Sequence, residues 1–353
     1  MAKGVEKIKK LLSDPAITEI MINGSAATFI EIEGRKKSVD TIFSPQEIEE
    51  AINEIFKNSG KNVSARLPYA DICLEDGSRA NVIIEPLARF GSAITIRKFS
   101  QEIKSLEDLV NRGALSQKMA DFLIACINGR LSILFSGATG AGKTTTMEML
   151  SFHIPEEERV VTIEDTAELK LHNKNIVSLE TRSVDEAGNS EVSLRDLIRN
   201  SLRMRPDRII VGEVRGPEAL DMLQAMSTGH KGTLAVIHGN SSQEIVSRLE
   251  TLILSSGIKL PIEEIRKMIS NTIDIIVQQE RFPDGSRRVT HISEVRGIER
   301  GEIIIQDLFV FKSQGKTPEG KIKGKFITTM RMYPKFFADF QKLGLLSDKA
   351  FSD

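Results

Sequence analysis

Gly137-Ala138-Thr139-Gly140-Ala141-Gly142-Lys143-Thr144 is a complete GxxxxGK[ST] pattern, and no other stretch constrains the chain as tightly. The pattern has meaning only between a strand and a helix. Residues 131–135 supply an apolar strand run, and residues 145–150 read as the opening of a helix. Glycines at this spacing let backbone N–H groups turn inward around phosphate oxygens, and the helix N-terminus adds a favourable dipole. Gly137, Ala138, Thr139, Gly140, Ala141, Gly142, Lys143, Thr144 and the following Thr145 are therefore the candidate phosphate-binding residues. Lys143 is placed to reach the β- and γ-phosphates, and the Thr144 hydroxyl to sit on Mg²⁺. Ordinary residue frequencies produce the pattern in roughly one chain in a hundred of this length. The strand-loop-helix context points to a nucleoside triphosphate site.

The rest of the C-terminal part supports that context. Strand-like runs at 131–135, 159–163, 176–179, 208–211, 233–237 and 272–277 alternate with helices. Such alternation implies an α/β fold whose mostly parallel sheet is covered on both faces. Ser116 caps a helix carrying Met119, Phe122, Leu123, Cys126 and Ile127, with Gly129 placed to end it. The first hundred residues differ. Short β-rich runs at 17–23 and 27–33 flank a turn at Gly24-Ser25. Ser44-Pro45-Gln46-Glu47 is a capping box, and Ile48, Ala51, Ile52, Ile55 and Phe56 follow at helical spacing toward an end near Gly60. Strand runs return at 71–74, 79–84 and 93–97, with Glu75-Asp76-Gly77-Ser78 as a hairpin signal. The expected organisation is an α+β domain over residues 1–98, a linker at 99–105 and an α/β domain over 106–353.

Composition narrows the partners. The chain has 353 residues, 48 Lys plus Arg against 49 Asp plus Glu, no Trp and 2 Tyr. So even a charge balance and so few aromatic platforms argue against a nucleic-acid partner. Cys73 and Cys126 are the only cysteines, which leaves neither a disulfide framework nor a metal-binding cysteine module. Both read as inert packing among apolar neighbours. No apolar run approaches a membrane span, and the basic start is stopped by Ser13-Asp14-Pro15, so a cytoplasmic protein without a secretory leader is expected.

Hydrolysis needs acids at strand ends. The run at 159–163 ends in Glu164-Asp165-Thr166-Ala167-Glu168, and the run at 208–211 ends in Gly212-Glu213, where Gly212 replaces a commoner Asp. C-terminal strand ends are where α/β sheets bind ligands. His230 and His238, two of only 5 histidines, bracket the run at 233–237. Between these motifs Ala219, Met222, Leu223 and Met226 form an apolar stripe expected to pack in the core.

In this order the motifs resemble the secretion ATPase superfamily, the motors of type II and type IV secretion and of type IV pili. The Asp box is Thr162-Ile163-Glu164-Asp165-Thr166-Ala167-Glu168. The atypical Walker B stretch runs from Arg203 through Gly212-Glu213 to Arg215, and the His box from Thr228-Gly229-His230 to His238-Gly239-Asn240. Asp14-Pro15-Ala16-Ile17-Thr18-Glu19-Ile20-Met21-Ile22-Asn23-Gly24, Arg66-Leu67-Pro68 and Arg331-Met332-Tyr333-Pro334-Lys335-Phe336 resemble the CpaF-type ATPase of the Tad (Flp) pilus.

The resemblance implies a RecA-like ATPase domain preceded by a smaller PAS-like one, using ATP and Mg²⁺. It implies a homohexameric ring whose hydrolysis rotates the two domains. It also implies a place against platform proteins of the inner membrane, powering assembly of a pilus, or both its assembly and its retraction. Glu168 is the leading candidate to activate water and Glu164 the rival. Glu213 would hold Mg²⁺ through water, His230 and His238 would sense the γ-phosphate, and Arg79 and Arg97 would bring positive charge to the phosphates. Arg199, Arg203 and Arg215 are candidates for subunit contacts. The four-cysteine zinc module of some relatives is missing, and CpaF-type chains run further before the Asp14 region, which implies a truncated start. The alternatives are the ATPase of another type IV filament or of a type IV secretion channel, and a nucleotide-binding switch with little turnover. The basic stretch 312–325 reads as an exposed hairpin or loop, and Phe336, Phe337 and Phe340 as packing residues.

Overall fold

A computed structural model describes residues 3–32, 34–59, 61–98, 103–182 and 190–351. Glu33, the helix stop expected near Gly60 and residues 99–102 of the expected linker lie outside the described residues. Two compact units divide at Glu102/Ile103, with the second made of Ile103–Thr181 and Val192–Asp353.

The first unit contains α1 (Lys3–Ser13), β1 (Ile17–Asn23), β2 (Ala27–Ile32), β3 (Arg35–Val39), α2 (Pro45–Phe56), β4 (Tyr69–Cys73), β5 (Arg79–Ile83) and β6 (Ala93–Arg97). Its 6-stranded sheet has the order β3-β2-β1-β6-β5-β4 and is antiparallel throughout. The capping box at α2 is formed in both directions: Ser44 accepts from Glu47 N, and the Glu47 carboxylate accepts from Ser44 N. Strand alternation sends Ile20, Ile22, Ile94, Ile96, Val82 and Ile72 into one core with Ile48, Ala51 and Ile52 of α2. The opposite face carries Glu19, Arg97 and Arg79 side by side in register. This is an α+β unit. Cys73 corrects the packing expectation, because it sits on that opposite face and is exposed, while Cys126 is buried. β3 had no apolar alternation to announce it, and its residues are nearly all exposed.

The second unit contains α3 (Leu106–Asn111), α4 (Gln117–Asn128), β7 (Ile133–Gly137), α5 (Lys143–Ser151), β8 (Val160–Glu164), β9 (Ile176–Glu180), α6 (Leu194–Ser201), β10 (Arg208–Val214), α7 (Glu218–Ser227) and β11 (Leu234–Ile237). It continues through α8 (Ser242–Leu254), α9 (Ile262–Thr272), β12 (Ile275–Arg281), β13 (Arg287–Glu299), β14 (Glu302–Lys316), β15 (Ile322–Thr328) and α10 (Phe337–Lys342). The 9-stranded sheet runs β15-β14-β13-β12-β7-β11-β10-β8-β9. From β12 to β9 every neighbour is parallel, as the strand–helix alternation predicts. β13, β14 and β15 extend it antiparallel. Separate apolar layers cover the two faces, one including α4 and α5, the other α7, α8 and α9. Met222, Leu223 and Met226 are buried in the second layer, while Phe336, Phe337 and Phe340 close the first. The 312–325 stretch is the β14–β15 hairpin, with its lysines exposed. Among the described residues no helix is long and apolar enough to cross a membrane.

Candidate active site

The phosphate loop joins β7 to α5. Gly140 and Gly142 take φ of 75° and 95°, a left-handed backbone that a side chain would strain. Gly137 is held for another reason as well: a Cβ there would lie 2.2 Å from the Gln279 carbonyl oxygen. The loop is thus a close-fitting cradle that opens onto the first turn of α5, where backbone donors have no helical acceptor. Buried Lys143 donates from Nζ to the Gly137 and Ala138 carbonyls, each at 2.9 Å, so its ammonium stands at the mouth of the loop. Thr146, one turn into α5, accepts from Gln279 Nε2 at 2.9 Å.

Parallel pairing of β7, β11 and β10 brings distant residues to the same edge. His238 follows β11, Glu213 lies near the end of β10, and Val214 is in register with Ile237. His238 Nε2 stands 2.5 Å from Glu213 Oε1, and Arg215 Nη2 donates to Glu213 Oε2 at 2.6 Å. Burial alone would raise the Glu213 carboxyl, but Arg215, His238 and Lys143 together hold it below its ordinary value. Burial also lowers His238, with Lys143 and Arg215 adding to the effect against the pull of Glu213. The charge of Lys143 is therefore felt by both groups. Arg215, a candidate for subunit contacts, is within this chain a partner of Glu213.

Glu164 ends β8 and is buried. Its Oε1 accepts from Glu168 N at 3.0 Å and Leu169 N at 3.2 Å, while Oε2 is buried with no hydrogen-bond partner. Burial pushes the Glu164 carboxyl up to about 7, against those two backbone donors, with Glu168 and Glu180 adding to the rise. The same side chain explains the glycine in the Walker B strand. A Cβ on residue 212 would lie 2.8 Å from Glu164 Cγ, so an Asp there has no room. Glu168 is half-buried in the loop that Glu164 caps.

His230 lies apart from His238 within one chain. It precedes β11, whose first residue Leu234 is in register with Ile133 at the start of β7. It therefore lies at the sheet edge opposite the phosphate loop, with Nδ1 3.2 Å from the Ala225 carbonyl. Only His238 reaches the Lys143 edge within one chain. Arg199 is bound within its own chain, giving Nε to Asp221 at 2.7 Å. Arg79 and Arg97 belong to the first unit, where they stand directly opposite each other on β5 and β6. Two residues that no motif singles out do belong here. Gln278 is buried midway along β12 and donates to the Gly239 carbonyl at 3.2 Å, next to His238, and Gln279 donates to Thr146 beside the phosphate loop.

The residues fit a nucleotide with its ion. Among the described residues no cluster of three or more His, Cys, Asp or Glu could hold a metal by itself. A divalent cation at Thr144 and Glu213 would take most of its ligands from phosphate and water, as Mg²⁺ does.

A model of the family described as "Type II/IV secretion system protein" matches residues 1–300. An uncharacterized protein of Methanocaldococcus jannaschii, MJ0781, is 38% identical over 232 residues, which is 64% of this chain and 32% of that protein. The probable conjugal transfer protein TrbB of Sinorhizobium fredii is 33% identical over 299 residues, covering 84% of this chain and 88% of TrbB. The pilus retraction motor PilT, solved with bound ADP, shares the fold at a TM-score of 0.56 and 19% identity, covering 96% of this chain and 88% of that one. With its phosphate loop, acidic strand ends and His238 in place, the chain belongs to the type II/IV secretion system ATPase family.

Proposed function

We propose that this protein is an ATP-hydrolysing motor, working as a homohexamer against membrane-embedded partners of a type IV secretion or conjugal-transfer apparatus. The observation that carries the catalytic part is the convergence of Lys143, Glu213 and His238 on the edge where the phosphate loop opens. TrbB, similar across most of both chains, supports the choice of machine. A second setting, a Tad-type pilus at the inner membrane, rests on the Asp14–Gly24, Arg66–Pro68 and Arg331–Phe336 motifs.

Thr144 and Glu213 would hold Mg²⁺, which would supply charge neutralisation at the phosphates. Lys143 then holds the phosphates from the loop side. The orphaned Oε2 of Glu164 favours it over Glu168 as the group that orients water, since one buried carboxylate oxygen is left with a hydrogen bond to make. His238 is neutral at pH 7. If its single N–H faces Glu213, Nδ1 is an acceptor, so His238 orients Glu213 and does not donate to a phosphate. Arg79 and Arg97 are proposed to supply positive charge to the phosphates. Arg97→Ala should lose hydrolysis with its melting temperature kept.

The test is Mg²⁺-dependent ATPase activity per subunit across a wide range of protein concentration. A steep rise to saturation supports a site completed on ring assembly. Flat, near-zero turnover with ATP bound would favour a nucleotide switch.

A further inference from the structure

Glu164, Glu213 and His238 stand on the β11 side of β7, and β12 pairs with β7 on the other side. β12 and its turn into β13 nevertheless hold parts of the site. Arg287 Nε donates to the Gly140 carbonyl at 2.9 Å, and a Cβ on Gly140 would meet Arg281 Nη1 at 3.4 Å. Strand alternation sends the neighbours Gln278 and Gln279 to opposite faces of the sheet. Gln279 reaches Thr146 of α5. Gln278, in register with Ser136 of β7, reaches the Gly239 carbonyl on the other face.

That carbonyl belongs to the residue after His238. Ser136 Oγ also donates to it, at 3.5 Å, so the 3.2 Å bond from Gln278 is the shorter of the two ties from the sheet. A Cβ on Gly239 would lie 2.3 Å from Ile245 Cδ1, so α8 closes the turn from the other side. Asn240 gives its backbone N and its Nδ2 to Glu244 of α8, at 3.0 and 3.2 Å. The turn is thus gripped by sheet and helix together.

Gln278 is a costly residue to bury. It is 1% exposed, and its Oε1 is buried with no hydrogen-bond partner among the described residues. Ile275, Ile276 and Val277 before it are apolar and buried. A further apolar residue would fill the strand without an acceptor to desolvate. What an apolar side chain could not supply is the N–H given to Gly239.

We propose that Gln278 is a positioning residue for ATP hydrolysis: by holding the Gly239 carbonyl it fixes the turn that sets His238 against Glu213. It acts through these residues and not on the reacting atoms. The inference rests on the nucleotide-site reading above and deepens it. A carboxylate placed to face an ion through water must keep its direction, and supporting contacts of this kind are worth about tenfold or more in activity.

The test compares wild type, Lys143→Ala, Gln278→Met, His238→Ala and the Gln278→Met, His238→Ala double variant in the full chain. Methionine keeps the length of glutamine without its N–H, and buries no orphaned oxygen, so the melting temperature should hold or rise. Turnover of Gln278→Met should fall about tenfold, with KM for ATP within about twofold because the phosphate loop is left in place. The double variant should lose no more than His238→Ala alone, to within about twofold, since both changes break one chain of contacts.

A second reading needs no turnover. The chain has only 5 histidines, so isotope-labelled histidine resolves the titration of each by NMR. Burial, Lys143 and Arg215 hold His238 below its ordinary value against the pull of Glu213. In Gln278→Met the slackened turn should let it move back toward about 6.5. An unmoved His238 titration, unchanged turnover, or a double variant in which the two losses multiply each overturns the positioning role. A melting temperature that falls in step with turnover makes Gln278 a packing residue and overturns it too. If wild-type turnover only matches Lys143→Ala, the hydrolysis reading has failed, and the His238 titration by itself decides whether Gln278 holds the turn. Should Gln278→Met not fold, Gln278→Asn, which draws the amide back by one methylene, is read in its place with the same losses expected.

Discussion

The 9-stranded sheet buries charge at both of its edges, and the two edges treat it differently. At the edge where the strands begin, Arg208 is fully buried at the first position of β10. It gives Nε to Glu158 at 2.5 Å and Nη2 to the Ile127 carbonyl at 2.8 Å. Glu158 also takes Arg130 at 2.7 Å, and Gly232 leaves room for the guanidinium, since a Cβ there would lie 2.1 Å from Nη1. At the edge where the strands end, Glu164 has no cation partner in its hydrogen bonds, one orphaned oxygen and a carboxyl raised to about 7. A buried charge with opposite charge and backbone around it is a staple. A buried charge left short of partners is poised for a ligand or a proton.

That contrast can be broken or sharpened. The largest effect is expected for Lys143→Ala, at least about a thousandfold in turnover with phosphate binding strongly weakened. An ATPase assay with a binding titration checks this, and unchanged turnover removes the active-site assignment. Next, Arg208→Ala leaves Glu158 with only the half-exposed Arg130, and about 3–5 kcal/mol of stability should go. Denaturant unfolding reads this directly. A loss under about 1 kcal/mol would erase the difference between the edges.

Glu164→Gln keeps the acceptor that caps its loop and should lower turnover about a hundredfold with ATP still bound. If Glu168→Gln shows that loss and Glu164→Gln does not, the water belongs to Glu168. The pH dependence has a definite sign. With its folded value raised from 4.5 to about 7, Glu164 keeps its proton in the folded protein through a window where the unfolded chain has lost it. Stability from this group therefore falls as pH climbs through that window, by roughly 3 kcal/mol at most, and Glu164→Gln removes the slope. Turnover should move the other way, rising toward pH 7 as the carboxylate forms. The smallest effect separates the two histidines. His238→Ala should lower turnover about tenfold, while His230→Ala, in subunits assayed as an assembled ring, should stay within a few-fold. Equal losses would place His230 in a neighbouring subunit's site.

Local signals were legible before any fold was known. The capping box at Ser44 and Glu47, the strand Ile17–Asn23 and the phosphate loop are each decided within a few residues, by backbone geometry and side-chain spacing. β3 was not legible, because Arg35-Lys36-Lys37-Ser38-Val39 has no apolar face and pairs only as an edge strand. Gly212 was visible as a departure but not as a consequence of Glu164, which lies far back in the chain. Gln278, Gln279, Arg281 and Arg287 belong to no recognised motif, and only β12–β7 pairing sets them beside the phosphate loop.

The sequence by itself pointed to a phosphate site, to the lysine and threonine proposed to serve it, and to acids and histidines that follow on strands of a parallel sheet. These are statements about residue types at fixed short spacings, where the backbone leaves little choice. Tertiary structure alone decided which of two histidines stands at the phosphate-loop edge within one chain, that Glu164 is left with an orphaned oxygen, and which arginines lie against the loop. Strand order and direction set those outcomes, since a parallel strand carries its two ends to opposite edges of the sheet, and burial among distant residues sets the charge each group will hold.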